Sequence, residues 1–359
     1  MKLLSIGNRK IGSDYPCFII AEAGINHNGD VKLACKLIDA AAKAGADAVK
    51  FQSFITADIV TPNAEKARYQ VETTGQNDGQ FAMLKSLELT KDQQKELKSY
   101  CDKAGILYLC TPYEERSADL LEEIGVVAYK IASTDVTNIP FLRYIAGKGI
   151  PVILSTGMSY LGEVERAVNE LRLGGLDGKI IILQCTSEYP APVGDINLRA
   201  MKTMEQAFGC MVGFSDHTQW WLDTSSWAVA LGAVVIEKHF TLDRHMEGPD
   251  YRASIEPHEM KLLIETIRCL EVALGNGIKR PMPSEFENKL RMQKSIVAFR
   301  DIKAGEVFTE DMLICKRPGT GLPPIWYDRF LSRIAAKDIK KDDMLQLSSV
   351  SWEESKKSK

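Results

Sequence analysis

Two histidines follow neighbouring apolar segments and have the chemistry of metal ligands. His217 comes just after the apolar run 212–215, and His239 follows the run 234–237, with a helix-like stretch between them. If both runs are adjacent strands of a parallel sheet, the two imidazoles lie at the edge where the strands' carboxyl ends meet. Imidazole is a common ligand of divalent cations. A single histidine in such a place is more often a hydrogen-bonded loop residue, so the metal hypothesis depends on the rest of the chain.

Two lysines lie inside other apolar segments, where a cation is rare without an anionic partner. Together with hydroxyl groups at the same predicted edge, they indicate a site for a phosphorylated anion, although each lysine could instead reach solvent. The polar residues at the predicted strand ends are Glu22, Asn26, Lys50, Gln52, Thr111, Lys130, Ser133, Ser155, Tyr189, His217, His239 and Asp250. A metal beside a phosphate site and a carboxylate suits metal-dependent, aldol-type carbon–carbon bond formation. The sequence has no nucleotide-binding glycine motif.

The elements that position these residues alternate regularly. After a predicted hairpin turn at 6–9, apolar strands are expected at 17–21, 47–51, 107–110, 127–131, 152–154, 180–183, 212–215 and 234–237. Helical spacing falls between them, for example at 32–44, 91–104, 115–124, 140–147, 163–173 and 257–274. Eight strand–helix units over about 270 residues predict an α/β fold, the (β/α)8 TIM barrel. A doubly wound sheet would also give alternation, but the count of eight favours the barrel. The polar stretch 56–77 is expected to be a long loop.

The pattern changes after the last predicted helix. We expect a TIM-barrel domain over 1–280 that includes the N-terminal hairpin, a linker over 281–290, a small β-rich domain over 291–352 and a disordered tail over 353–359. The phrase Asp-Ile-Lys at 301–303 returns at 338–340, which indicates a weak internal duplication in the small domain. A basic turn containing Lys316 and Arg317 lies between the two copies.

Composition excludes several classes of protein. A net charge of −3 gives no reason to expect nucleic-acid or membrane-surface binding, and no apolar run approaches the roughly 20 residues of a membrane span. The eight cysteines form no CxxC pair, and those at 17, 110 and 185 lie in apolar strands. Buried free thiols are therefore expected, which favours a reducing, cytoplasmic setting.

Ten phrases, spread in order over nearly the whole chain, resemble the sialic acid synthase family, whose members use phosphoenolpyruvate. The phrases are IIAEAGINHNGD, VKFQSF, CTPY, YKIAS, LSTGM, QCTSEYPAP, GFSDHT, IEKHFTLD, GPDYRASIEP and KRPGTG. The C-terminal part resembles the antifreeze-like (SAF) domain that these synthases carry. The resemblance implies an N-acetylneuraminate synthase, a transferase of sialic acid biosynthesis that joins phosphoenolpyruvate to N-acetylmannosamine and releases phosphate by C–O cleavage.

The resemblance also implies roles for individual residues. His217 and His239 match the two ligands of a divalent metal ion. Mn²⁺ is the first candidate for this ion, and Mg²⁺ and Co²⁺ are alternatives. Glu22 matches the catalytic glutamate of the family. The residues that match positions holding phosphoenolpyruvate are Lys50, Thr111, Lys130, Ser133 and Ser155. The residues that match contacts to the acceptor sugar are Gln52, Tyr189, Asp250 and Arg317. In the family this arginine reaches the partner subunit's barrel, which implies a domain-swapped homodimer.

Several alternatives remain open at this point. The chain has Thr134 and Asp135 where many relatives have Gly and Glu, and Tyr251 where histidine is common, so the acceptor sugar is the least certain element. The same reaction on a 2,4-diacetamido-2,4,6-trideoxy sugar would make it a legionaminic acid synthase, and the insertion with Tyr69, Gln70 and Gln76 resembles both groups. A metal-dependent sugar isomerase or a non-catalytic sugar-binding protein would not release phosphate from phosphoenolpyruvate.

Overall fold

A computed structural model describes residues 3–74 and 79–352. The chain divides into two compact units, Met1–Gly275 and Asn276–Lys359. The predicted N-terminal hairpin is present as strands β1 (Leu4–Ile6) and β2 (Arg9–Ile11), which pair antiparallel. The predicted tail, 353–359, and Gln76 lie outside the described residues.

The first unit is a parallel barrel of eight strands, which confirms the predicted fold. In chain order the barrel strands are β3 (Phe18–Gly24), β4 (Ala48–Ser53), β5 (Leu107–Pro112), β6 (Tyr129–Ile131), β7 (Val152–Ser155), β8 (Ile180–Cys185), β9 (Met211–Asp216) and β10 (Val235–His239). Neighbours in chain order pair with each other except β5 and β6, and β10 pairs with β3. Strands β5 and β6 lie side by side, so the sheet is a nearly closed ring.

Every barrel strand is followed by at least one helix. The longer helices are α1 (Val31–Ala44), α5 (Lys91–Ala104), α6 (Glu115–Glu123), α7 (Ile139–Gly147), α8 (Leu161–Leu171), α9 (Arg199–Phe208), α10 (Trp221–Ala230) and α11 (Pro257–Leu274). Local signals fix several of their ends. Asp30 caps α1, and a Thr90–Gln93 capping box begins α5, because these side chains satisfy the free N–H groups of a first helical turn.

The sequence analysis was wrong about the stretch after β4. It predicted a long loop over 56–77, whereas the structure has the short helices α2 (Thr56–Ile59), α3 (Arg68–Thr74) and α4 (Gly79–Leu87) in this region. These helices have 4, 7 and 9 residues, too few to be stable on their own propensity. Packing on the barrel unit supports two of them: Met83 and Leu87 of α4 are buried with Ile25 and Phe54, and Ile59 of α2 packs against this cluster.

The barrel has two apolar layers. Outward-facing strand residues pack against the helices, as in any (β/α)8 fold. Inward-facing residues at the amino-terminal end, such as Phe18, Ile20 and Leu109, pack with Leu4 and Ile6 of the hairpin. The hairpin therefore closes the bottom of the barrel, and the open end is the one where the strands finish.

The second unit is a small β-rich region around its own core. Strand β11 (Ser295–Ala298) pairs with β12 (Leu313–Lys316), and β13 (Ile334–Ala335) pairs with β14 (Val350–Ser351). A short α13 (Tyr327–Phe330) completes it. The segment predicted as a linker, 281–290, contains a 3₁₀ turn, Pro283–Glu285, and the start of α12 (Phe286–Met292).

The internal duplication corresponds to a reciprocal contact in this unit. Ile302 and Ile339 exchange backbone N–H···O hydrogen bonds of 2.9 Å in both directions. Lys303 pairs with Asp338 at 2.8 Å, and Lys340 pairs with Asp301 at 2.9 Å. The repeated Asp-Ile-Lys phrase therefore marks two equivalent edges that pair with each other.

Within residues 3–74 and 79–352, no helix is long and apolar enough to cross a membrane.

Candidate active site

The open end of the barrel contains a cavity of about 610 Å³. All the site residues that the sequence analysis placed in the barrel line it: Glu22, Lys50, Gln52, Thr111, Lys130, Ser133, Ser155, Tyr189, His217, His239 and Asp250. They come from eight different strand ends or the loops that follow, so it is closure of the sheet that brings them together. Asn26, also named at a strand end, is buried and donates hydrogen bonds to the Phe240 carbonyl and to Ser254.

The floor of the cavity holds a buried network of two lysines and two carboxylates. Lys50 Nζ lies 2.7 Å from Glu22 Oε2 and donates to Thr111 Oγ1 at 3.0 Å. Glu237 lies between the lysines, at 3.8 Å from Lys50 and 3.5 Å from Lys130. The cations are thus neutralised in the free protein, and a bound anion would enter a site that already has fixed donors.

Burial sets the protonation of this network. Burial, with the charge of Glu237, outweighs the attraction of Lys50 and raises the pKa of Glu22 to about 7. Burial, with the like charge of Lys50, lowers the pKa of Lys130, although Glu237 opposes the shift. Glu22 can therefore take up or release a proton near neutral pH, which is the property of a general acid or base.

The hydroxyl groups surround Lys130. Its Nζ donates to Ser155 Oγ at 2.7 Å, while Ser133 Oγ accepts from the backbone N–H of Gly157 at 2.9 Å. A Cβ at Gly157 would lie 2.2 Å from Ser187 Oγ, so glycine is what allows the backbone at this position to lie so close to Ser187. The result is a polar recess whose N–H and hydroxyl donors suit phosphate oxygens.

The two histidines meet as predicted, with ring centroids 5.2 Å apart. His217 Nδ1 lies 2.7 Å from the Thr186 carbonyl oxygen, which fixes the ring, and its Nε2 lies 3.4 Å from Ser215 Oγ. His239 Nδ1 is buried without a hydrogen-bond partner among the described residues, and Asp250 Oδ2 lies 3.8 Å away. Burial and the surrounding cations lower the pKa of His239, so this imidazole is neutral.

These donors fit a divalent metal ion, because neutral imidazoles bind one and an orphaned buried nitrogen calls for a partner. The fit is partial. In the described part of the chain, no group of three or more His, Cys, Asp or Glu side chains converges on one point. Two protein ligands would leave the other positions to water and substrate oxygens.

The cavity lining also includes the barrel residues predicted to contact an acceptor. Gln52 Nε2 donates to Glu22 Oε1 at 3.3 Å. The Tyr189 ring stacks between His217, at 4.2 Å between centroids, and Tyr69, at 4.9 Å. Burial raises the pKa of Asp250 to about 6. An aromatic ring beside hydrogen-bonding groups is a common surface for a sugar.

Sequence reasoning missed Glu237. It lies two residues before His239 on β10, and successive side chains of a strand alternate between faces, so both point into the barrel. A carboxylate inside an apolar strand was the available signal. The neighbouring Lys238 points the other way, where it pairs with Asp216 at 3.5 Å under α10.

Arg317 lies in the second unit rather than among the residues that line the cavity. Its side chain is exposed, and its Nε donates to the Met292 carbonyl oxygen at 3.2 Å.

Comparison with known proteins decides the family. Residues 37–279 match the NeuB family, and residues 293–351 match the SAF domain. The chain belongs to the NeuB family. This is the family of sialic, legionaminic and pseudaminic acid synthases, here with a C-terminal SAF domain, which confirms the resemblance noted from the sequence.

Two curated relatives of this NeuB-family chain carry the same name. It is 48% identical to the N,N'-diacetyllegionaminic acid synthase of Campylobacter jejuni, over 91% of this chain and 98% of that protein. It is 43% identical to the N,N'-diacetyllegionaminic acid synthase of Legionella pneumophila, over 88% of this chain and 91% of that protein. Among solved structures, it resembles the N-acetylneuraminic acid synthetase of Leptospira borgpetersenii, with a TM-score of 0.70 and 37% identity, over 80% of this chain and 94% of that one.

Proposed function

We propose that this protein is a phosphoenolpyruvate-dependent N,N'-diacetyllegionaminic acid synthase. Its acceptor would be the open-chain form of 2,4-diacetamido-2,4,6-trideoxymannose. The observation that carries the proposal is the 48% identity to the Campylobacter jejuni synthase over 91% of the chain. The product predicted first from the sequence, N-acetylneuraminate, has weaker support and remains the second candidate because of the 37% identity to the Leptospira borgpetersenii enzyme.

In the proposed complex, the lysine network binds phosphoenolpyruvate. Lys130, Thr111, Ser133 and Ser155 supply donors for the phosphate, and Lys50 neutralises the carboxylate. These groups are buried or half-buried and already held by mutual hydrogen bonds. Binding therefore needs little reorganisation of the protein, which favours affinity.

The proposed reaction has two bond-forming steps. C3 of phosphoenolpyruvate forms a bond to the aldehyde carbon of the sugar, whose oxygen takes up a proton. A water molecule adds to C2 and gives up a proton, and the C2–O bond to phosphate then breaks to leave the 2-keto acid and inorganic phosphate. Glu22, whose pKa is about 7, is placed to accept the proton from water, with Lys50 at 2.7 Å stabilising its charged form.

His217 and His239 would hold a divalent metal ion, for which Mn²⁺ is our first candidate and Mg²⁺ or Co²⁺ the alternatives. When bound, the ion would polarise the aldehyde as a Lewis acid. On the protein side, Gln52 and Asp250 would orient the sugar hydroxyls, and the Tyr189 ring would cover one face of the open-chain sugar.

We also propose that the enzyme acts as a homodimer in which Arg317 contacts the acceptor in the partner subunit. This rests on the resemblance of the turn around Arg317 to the SAF-domain arginine of the sialic acid synthases. The Arg317 side chain is exposed to solvent, which such a contact requires.

The test is phosphate release from phosphoenolpyruvate with each sugar, with added Mn²⁺ or with a chelator. We expect metal-dependent release with the diacetamido sugar and formation of N,N'-diacetyllegionaminic acid. Release that is efficient with N-acetylmannosamine alone would establish the second candidate. No release with either sugar would refute the proposed synthase and favour an isomerase or a binding protein.

A further inference from the structure

The cavity has two chemically different sides. The floor carries the charged groups described above, whereas one wall is formed by the stretch between β4 and α5. From the described parts of this stretch, 56–74 and 79–87, the half-buried aliphatic side chains in the wall are Ile59, Val60 and Leu84. The same stretch also contributes Asp58, Ala67, Tyr69, Gln70 and Gln80 to the lining. Branched aliphatic side chains that line a cavity offer contact to apolar groups of a ligand and no hydrogen bonds.

This wall is fixed to the barrel. Ile59, Leu84 and Tyr113 pack against the buried cluster that contains Phe54 and Met83. At the two ends of the stretch, Thr56 donates to Glu88 Oε2 from its backbone N–H at 3.0 Å and from its hydroxyl at 2.8 Å. Two separate attachments therefore hold the apolar side chains in place before any ligand binds.

Further contacts join the wall to its surroundings. Arg116 on α6 donates to Asp58 through Nε at 2.9 Å. Thr73 donates to the Pro249 carbonyl at 3.4 Å, which ties α3 to the loop that carries Asp250. The aliphatic side chains of the wall line the same cavity as Tyr189 and Asp250.

The charge of the cavity argues against an acceptor with a second phosphate. Among the described residues that line it, the lysines are Lys50 and Lys130, both on the floor and both paired with carboxylates, and no arginine is present. The wall adds Asp58, a negative charge. Phosphate near such a wall would be repelled rather than neutralised.

We propose that Ile59, Val60 and Leu84 select the acceptor by receiving the methyl groups of a 6-deoxy, doubly N-acetylated sugar. This rests on the proposed function. The diacetamido acceptor has three methyl groups, two on the acetyl groups and one at C6, whereas N-acetylmannosamine has one. Ile59, Val60 and Leu84 themselves offer no hydrogen bond to a hydroxyl group placed against them, so contact with these three side chains favours a methyl group.

The experiment compares kcat/KM for the two sugars in wall variants and in matched controls. Val60→Thr keeps the shape of the side chain and replaces one methyl group by a hydroxyl group, and Leu84→Gln replaces the branched aliphatic end by a polar amide of similar size. The controls, Val272→Thr and Leu173→Gln, alter side chains that are each 83% exposed to solvent. One methyl group in a hydrophobic pocket is worth roughly 10- to 200-fold in kcat/KM.

We expect each wall variant to lower the preference for the diacetamido sugar over N-acetylmannosamine by about tenfold or more, with KM for phosphoenolpyruvate unchanged. The controls should keep the wild-type ratio. Turnover of the diacetamido sugar with a ratio that the wall variants do not change would overturn the selection role and leave the proposed function intact. Absence of phosphate release with both sugars in the wild-type enzyme would instead refute the proposed function, and the inference with it.

Discussion

Replacing Glu237 by glutamine tests how the two buried lysines keep their charge. The carboxylate lies 3.5 Å from Lys130 Nζ and 3.8 Å from Lys50 Nζ. At an effective dielectric constant of about 20, the pair with Lys130 corresponds to about 5 kcal/mol of attraction. Lys50 keeps Glu22 at 2.7 Å, whereas Lys130 is left with the Ser155 hydroxyl and the Ile131 carbonyl. Since removing one partner of a buried pair costs about 3–5 kcal/mol, we expect the free energy of unfolding to fall by about 3 kcal/mol.

The same substitution should weaken the binding of phosphoenolpyruvate in a pH-dependent way. Burial already lowers the pKa of Lys130, and Glu237 opposes this shift, so the Glu237→Gln variant should have a still lower Lys130 pKa. A lysine loses its charge as the pH rises through its pKa. KM for phosphoenolpyruvate should therefore begin to rise at a lower pH than in the wild type and be about tenfold higher at pH 8, equivalent to about 1.4 kcal/mol.

The assays are urea unfolding and steady-state phosphate release over pH 6–9. Glu123→Gln is the matched control, because Glu123 also pairs with two lysines, Lys91 at 2.5 Å and Lys95 at 2.9 Å, but at the surface. Exposed pairs contribute little, so the control should match the wild type. If Glu237→Gln shows an unchanged stability and an unchanged pH profile of KM, the lysines do not depend on Glu237 and the argument fails.

Three further predictions concern other parts of the molecule. His217→Ala should abolish turnover and lower the amount of bound metal measured by mass spectrometry, and an unchanged metal content would contradict its role as a ligand. Arg317→Ala should raise KM for the acceptor and leave KM for phosphoenolpyruvate unchanged. An acceptor KM equal in the variant and the wild type would argue against contact between Arg317 and the sugar. Burial lowers the pKa of His27 from 6.5 to about 4, so the unfolded chain takes up a proton first as the pH falls. Between pH 6.5 and 4, His27 should therefore contribute a loss of about 3 kcal/mol in the free energy of unfolding, measured as the difference between the wild-type and His27→Gln curves against pH. An identical slope in the variant would rule out His27 as the source.

Local patterns in the chain were enough to predict the barrel and most of its site. Apolar runs separated by helical spacing predict strand–helix units, and the rules of parallel barrels place every strand end on one face. His217, His239, Lys50 and Lys130 were therefore recognised as neighbours although they are far apart in sequence. The duplicated Asp-Ile-Lys phrase likewise predicted a symmetric small unit, and the structure pairs its two copies.

The short helices after β4 could not be predicted in this way. Their segments have weak local signals, and α4 is held by packing of Met83 and Leu87 on Ile25 and Phe54, which come from other parts of the chain. Such non-local contacts outweigh weak local propensity. For this reason the apolar wall of the cavity is visible in the tertiary structure alone.

The sequence by itself determined which residues follow the strands, because strand period and chain order are local properties. The tertiary structure decided which carboxylates neutralise the buried lysines and what pKa the Glu22 carboxyl group has. Glu237 neutralises lysines from β4 and β6, and burial brings the pKa of Glu22 to about 7. Both effects depend on distances between strands and on exclusion of water, which arise when the barrel closes.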